Sequence, residues 1–200
     1  MATKEEIREM ILNAAWKRFG HYGYNKTTMA EIAEDCSMSA ANIYRYFKDK
    51  SAIGAGIAKT YFDRESDLIA GVAKRGDLKA SEKLVEVVLA SVRFKFSEFE
   101  DSPAIMELVD YVCRDGQELI EGHRQKVMAS IVKILEEGNR TGEFAVRDLE
   151  GTAEAIRIAT IPFHATPVFL MFKGYGCAME DMEEMVRKVL GLIIDGIARR

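Results

Sequence analysis

The chain has 200 residues, enough for one large domain or for a small module fused to a larger one with a core of its own. Hydrophobic residues make up 48% and charged residues 30%, which excludes a disordered polymer. The net charge of −4 is uneven: residues 1–50 hold eight Lys/Arg and seven Asp/Glu, residues 51–200 hold 20 and 25, so the overall sign does not exclude a nucleic-acid partner.

Only three prolines occur, helix formers abound and no long strand-like alternation is present, so the expected class is all-α. Ile7, Ile11, Ala14/Ala15 and Phe19 recur at helical spacing and predict a helix over about 4–19, stopped between Gly20 and Gly23. Thr28 and Glu31 have capping-box spacing and open a short helix with Ile32 and Ala33 inward. Cys36-Ser37-Met38 interrupts it, Ser39 is a good N-cap for the next turn, and Ile43 and Phe47 anchor that second helix on one side. Asn42, Arg45 and, nearer the edge, Tyr44 then point away from the core. This is a helix-turn-helix pattern, in which the second helix enters the major groove.

Lys48 to Ser51 opens a longer helix reaching about residue 73, although interior Gly54, Gly56 and Gly71 each cost about 1 kcal/mol relative to alanine. Arg75-Gly76-Asp77 is a break. Leu84, Val87, Val88, Val92 and Phe96 line a strong helix over about 81–99, and Asp101-Ser102-Pro103 starts another. Further helices are predicted over about 117–137, 149–163 and 180–198. Pro162 and Pro167 kink or end the second of these, and 168–172 forms a short apolar continuation. The total is about nine helices, with a three-helix module over 1–50 and a helical domain over 51–200.

Cys36, Cys113 and Cys177 are far apart and odd in number, which suits a reducing interior. No signal-peptide pattern opens the chain and no apolar run is long enough for a bilayer, so a cytoplasmic location is expected. His21, His123 and His164 are isolated, with no His-x-x-x-His, Cys-x-x-Cys or paired-acid spacing. No catalytic constellation, metal site or cofactor is therefore expected, and an enzyme is the poorest reading.

Phe19-Gly20-His21-Tyr22-Gly23-Tyr24, Thr27-Thr28, Ile32-Ala33, Ser39 and Ile43-Tyr44-Arg45-Tyr46-Phe47-Lys48-Asp49-Lys50 together resemble the N-terminal domain of TetR-family transcriptional regulators. The resemblance covers about residues 5–53. It implies an all-α homodimer whose two heads bind a pseudo-palindromic double-stranded operator. It further implies a repressor released by a small, largely apolar effector held in the C-terminal domain, and pairing of subunits through the last two long helices.

Two departures from the family pattern stand out. Ser37 occupies a turn position commonly held by glycine, which suits a left-handed conformation. Ala40 and Ala41 replace the Lys/Arg and Gly often found where the recognition helix starts, and neither can hydrogen-bond a base. Readout then falls on Asn42 and Arg45, with alanine methyls against thymine methyls. Thr28, Tyr44 and Lys50 are candidate phosphate contacts, and Ser39 and Tyr46 complete the candidate surface. Phe96, Phe99, Met106, Tyr111, Met128, Phe163 and His164 are candidate effector contacts, although such stripes equally form ordinary core. The competing reading is a helical small-molecule-binding protein with a degenerate DNA-binding head. Binding to DNA that falls steeply with salt separates the two.

Overall fold

A computed structural model describes residues 2–164 and 166–199, the side chains of Asp101, Asp115, His164, Thr166, Pro167, Phe169 and Leu170 apart. The described residues form ten helices and no strand. They are α1 (Lys4–Tyr22), α2 (Met29–Asp35), α3 (Ala40–Ile43), α4 (Lys50–Ala73), α5 (Ala80–Asp101), α6 (Pro103–Asp115), α7 (Gln117–Thr141), α8 (Leu149–His164), α9 (Thr166–Gly174) and α10 (Met179–Ile197). The count exceeds the expected nine because the apolar continuation after Pro162 is a helix in its own right, α9. The chain divides into two compact units, residues 1–62 with 98–119 and residues 63–97 with 120–200.

In the first unit, α1 buries Ile11, Ala15 and Phe19, a stripe at intervals of four. It runs three residues past Phe19 and stops within the Gly20–Gly23 segment expected to end it. It ends at Gly23, whose φ of 84° is open to glycine and whose N–H returns to the Phe19 carbonyl. Arg18 ties α1 to α2 through two bonds to the Asp35 carboxylate, 2.5 and 2.8 Å, and that hydrogen bonding holds Asp35 below the usual carboxylate range. α4 continues unbroken through Gly54, Gly56 and Gly71. At Gly56 a Cβ would stand 2.7 Å from Leu12 Cδ2, so glycine there permits close approach of α4 to α1. α6 starts at Pro103, as its sequence suggests, and packs on α1, burying Ile105, Met106, Leu108 and Val109.

In the second unit, α5, α7, α8 and α10 bury Leu84, Val92, Ile134, Ile156 and Leu190, among others. The Glu143 carboxylate accepts the Ala80 and Ser81 N–H groups at 3.0 and 3.2 Å, capping α5 from the α7–α8 loop. Lys83 bonds Glu137 at 2.6 and 2.8 Å, and Arg93 bonds Glu183 of α10 at 2.6 Å. A buried polar cluster joins α4, α5 and α7. Lys95 Nζ lies 3.0 Å from Glu65, Ser91 Oγ donates to the same carboxylate, and His123 Nε2 stands 3.5 Å away while its Nδ1 is 3.0 Å from Ser66 Oγ.

Candidate nucleic-acid interface

The recognition segment is built from short-range bonds. Thr28 Oγ1 accepts the Glu31 N–H at 3.3 Å while Glu31 accepts the Thr28 N–H at 2.7 Å, so the expected capping box starts α2. The Thr28 hydroxyl also donates to Glu31 at 2.8 Å, and these bonds hold the Glu31 carboxyl below its ordinary value. At the end of α2, Cys36 is buried, which pushes its thiol pKa up, and Ser37 adopts a φ of 53°. Among the described residues Ser37 is the only non-glycine residue in that region. The turn thus asks of serine what glycine gives freely. Ser37→Gly is expected to raise stability by up to about 1 kcal/mol, the relief of left-handed strain less glycine's larger entropy when unfolded. Thermal melting of the two chains checks this, and an unchanged or lower midpoint would show that the turn is unstrained.

Ser39 Oγ then accepts the Asn42 N–H at 3.2 Å and starts α3, as its residue type predicts. The α-helix itself is a single turn, ending at Ile43. Tyr44, Arg45 and Tyr46 continue it as a tighter turn through Arg45 N–H to Asn42 O at 3.1 Å and Tyr46 N–H to Ile43 O at 3.0 Å. Ile43 and Phe47 are buried and fix the inner side. Thr28, Ser39, Ala40, Ala41, Tyr44 and Arg45 are exposed, whereas Asn42 and Tyr46 are half-buried.

Lys50 is placed differently from an open phosphate contact. Its ammonium donates to the carbonyls of Tyr24 and Thr27, each at 2.8 Å, and lies 4.5 Å from the centre of the Tyr24 ring. It therefore clasps the loop ahead of α2, with one N–H left over. Arg8, which sequence reading did not single out, donates to the Tyr46 carbonyl at 2.5 Å and sits 4.2 Å over the Phe47 ring. It positions the end of the recognition turn from α1. Nothing in the sequence sets it apart from Lys4, the other cation among the acids that open α1.

The effector candidates separate between the two units. Phe96, Met128 and Phe163 are buried in the second. Met106 is buried in the first, where Phe99 is half-buried and Tyr111 is exposed with its ring 5.9 Å from Tyr24. The side chain of His164 lies outside the described residues. Among the described residues no group of three or more His, Cys, Asp or Glu is placed to hold a metal. No helix among them is long and apolar enough to cross a membrane.

Two family models match the chain: bacterial regulatory proteins of the tetR family over residues 11–55, and the tetracyclin repressor-like C-terminal domain over residues 80–173. An uncharacterized HTH-type transcriptional regulator, YuxN of Bacillus subtilis, is 33% identical over 36% of this chain, a stretch that spans 25% of that protein. The HTH-type transcriptional repressor BepR of Brucella suis is 26% identical over 80% of this chain and 79% of its own length. A solved transcriptional regulator from Cytophaga hutchinsonii superposes with a TM-score of 0.73 and 26% identity, covering 94% of this chain and 97% of that one. With its helix-turn-helix module and helical C-terminal domain both matched, the chain belongs to the TetR family of bacterial transcriptional regulators.

Proposed function

We propose that the chain is a homodimeric repressor that grips a pseudo-palindromic operator and lets go when its C-terminal domain takes up a small, largely apolar effector. The observation that carries this reading is the recognition turn itself: a rigid inner side at Ile43 and Phe47, and an outer side on which Ser39, Ala40, Ala41, Tyr44 and Arg45 are free to meet DNA. Ser39 and Tyr44 supply hydroxyls for phosphates, Thr28 does so only by releasing its O–H from Glu31, Arg45 supplies a cationic fork, and Asn42 and Tyr46 flank them. Lys50 acts chiefly by holding the loop that presents Thr28. An apolar effector suits a C-terminal unit rich in buried Phe and Met, of which Phe96, Met128 and Phe163 are examples. The DNA-binding module of residues 1–50 is read as ending where Lys50 opens α4, inside a compact unit that runs on to residue 62 and takes in 98–119.

Fluorescence anisotropy with the protein's own upstream DNA tests the reading. Affinity should fall steeply as salt rises, because phosphate neutralisation releases counterions. Weak binding without sequence preference would instead leave the chain a small-molecule-binding protein with a degenerate head.

The pairing face follows from exposed apolar residues on the second unit. Ile158 on α8 and Met185 and Leu192 on α10 are exposed, Leu192 at 77%. Ala155, Ile158 and Pro162 keep helical spacing along one exposed or half-exposed side of α8. A charge planted there would be desolvated by a partner copy. Leu192→Glu should convert the dimer to a monomer in light scattering while leaving the helical signal intact. A dimer that persists unchanged places the interface elsewhere.

A further inference from the structure

A cleft of about 350 Å³ opens in the first unit between the α1–α2 loop and one face of α6. Tyr22, Tyr24 and Lys26 line the loop side, and Glu107, Leu108 and Tyr111 line the helix side at successive helical intervals. Tyr22 and Tyr111 are more than half exposed, so two large aromatic rings stand open at one place beside the less exposed Tyr24. Rings in this condition normally gain by covering their faces.

Two of the three rings already hold cations of the chain. The Arg18 guanidinium lies 5.4 Å from the Tyr22 ring centre and the Lys50 ammonium 4.5 Å from that of Tyr24. The third ring, Tyr111, carries no cation among the described residues. One helical turn before it stands Glu107, whose carboxylate makes no ion pair among them. Electron-rich faces with an unneutralised carboxylate alongside are the chemistry that recognises alkylated ammonium groups. We propose that this cleft binds an organic cation of the quaternary ammonium class, its methyl groups against the exposed rings of Tyr22 and Tyr111 and its charge facing Glu107.

Lys26 sharpens the proposal, because its ammonium at the loop side opposes a bound cation. Removing that charge should tighten binding, the reverse of what an anion site would show. The cleft belongs to the first unit, whereas the proposed effector contacts Phe96, Met128 and Phe163 belong to the second, so its test does not depend on operator binding.

The experiment titrates choline into the full-length protein and follows the tyrosine ring resonances by NMR, with 3,3-dimethylbutan-1-ol as the neutral analogue of equal shape. Choline should shift the Tyr22 and Tyr111 rings saturably and bind about tenfold more tightly than the alcohol. Tyr111→Ala and Glu107→Gln should each weaken choline severalfold, and Lys26→Gln should strengthen it. Tyr111 and Glu107 are exposed, so both variants are expected to fold, and unchanged melting temperatures verify that. Equal binding of alcohol and choline, indifference to Tyr111→Ala, no saturable shift, or weaker choline binding by Lys26→Gln would each overturn the proposal.

Discussion

Lys95→Met is expected to cost about 3–5 kcal/mol of stability at neutral pH, because it strands the buried Glu65 carboxylate. Glu65 and Lys95 are each about 98% buried and lie 3.0 Å apart, with His123 next to the same carboxylate. Burial alone would raise the Glu65 pKa above its ordinary 4.5. The charges of Lys95 and His123 and the hydrogen bonds from Ser91 and Lys95 outweigh it, and the net direction is down. A carboxyl whose pKa is depressed by folding stabilises the native state fully above its unfolded value of about 4.5, and that contribution fades as pH falls through the lower folded value. The wild-type chain should therefore lose this contribution in acid. In Lys95→Met burial is opposed only by His123 and the Ser91 bond, so the Glu65 pKa should rise from its wild-type position, and the deficit should shrink on acidification as Glu65 and His123 together take up a proton. Glu65→Gln with Lys95→Met should recover much of the loss, since a neutral pair needs no compensating charge. Urea unfolding at pH 5 and pH 7 measures all three chains, and a Lys95→Met deficit that does not change with pH would exclude a stranded carboxylate as its cause.

Arg45→Ala should weaken operator binding by about 1–3 kcal/mol, roughly 5- to 150-fold, with no change in melting temperature. Arg45 is exposed on the recognition turn and holds up no part of the core. The salt dependence tells which contact is lost. A slope of affinity against salt reduced by about one identifies a phosphate contact, whereas an unchanged slope with relaxed preference at one base pair identifies a base contact. Undiminished affinity would remove Arg45 from the interface and leave Tyr44 and Asn42 to carry it. The upstream DNA of the chain, titrated by anisotropy at several salt concentrations, is sufficient for the measurement.

Much of the recognition segment was legible in the sequence because its determinants lie three or four residues apart. The Thr28–Glu31 box, the Ser39 cap and the Ile43 and Phe47 anchors are all local, and local rules reach them, whereas the left-handed Ser37 was signalled by the family resemblance. The clasps were not legible. Lys50 on Tyr24 and Thr27, and Arg8 on Tyr46, join residues 23 to 38 apart, and only the packing of helices brings them together. Lys50 was read from its place at a helix start as a group facing phosphate, yet its ammonium turns inward to two carbonyls. The glycines of α4 weakened the helix expected there to about residue 73, and tertiary contact with Leu12 gives one of them its reason. Apolar periodicity located the buried Phe96, Met106 and Phe163 but not the exposure of Tyr111, and it could not assign them to one site: Phe96 and Phe163 fall in one unit, Met106 and Tyr111 in the other. Periodicity reports which side of a helix avoids water, and says nothing about what else will touch it.

The brevity of α3 limits how much of a genome one subunit can discriminate. Four residues rise only about 6 Å along a helix, against 3.4 Å for each base pair of DNA, so a single probe spans about two or three steps of the duplex. A three-letter word recurs about once in every 64 positions by chance, far too often to mark a promoter. For the proposed dimer on a two-fold operator, address must then come from the distance and symmetry between two such words. Inserting one base pair at the centre of the binding site is therefore more damaging than most single-letter changes within it.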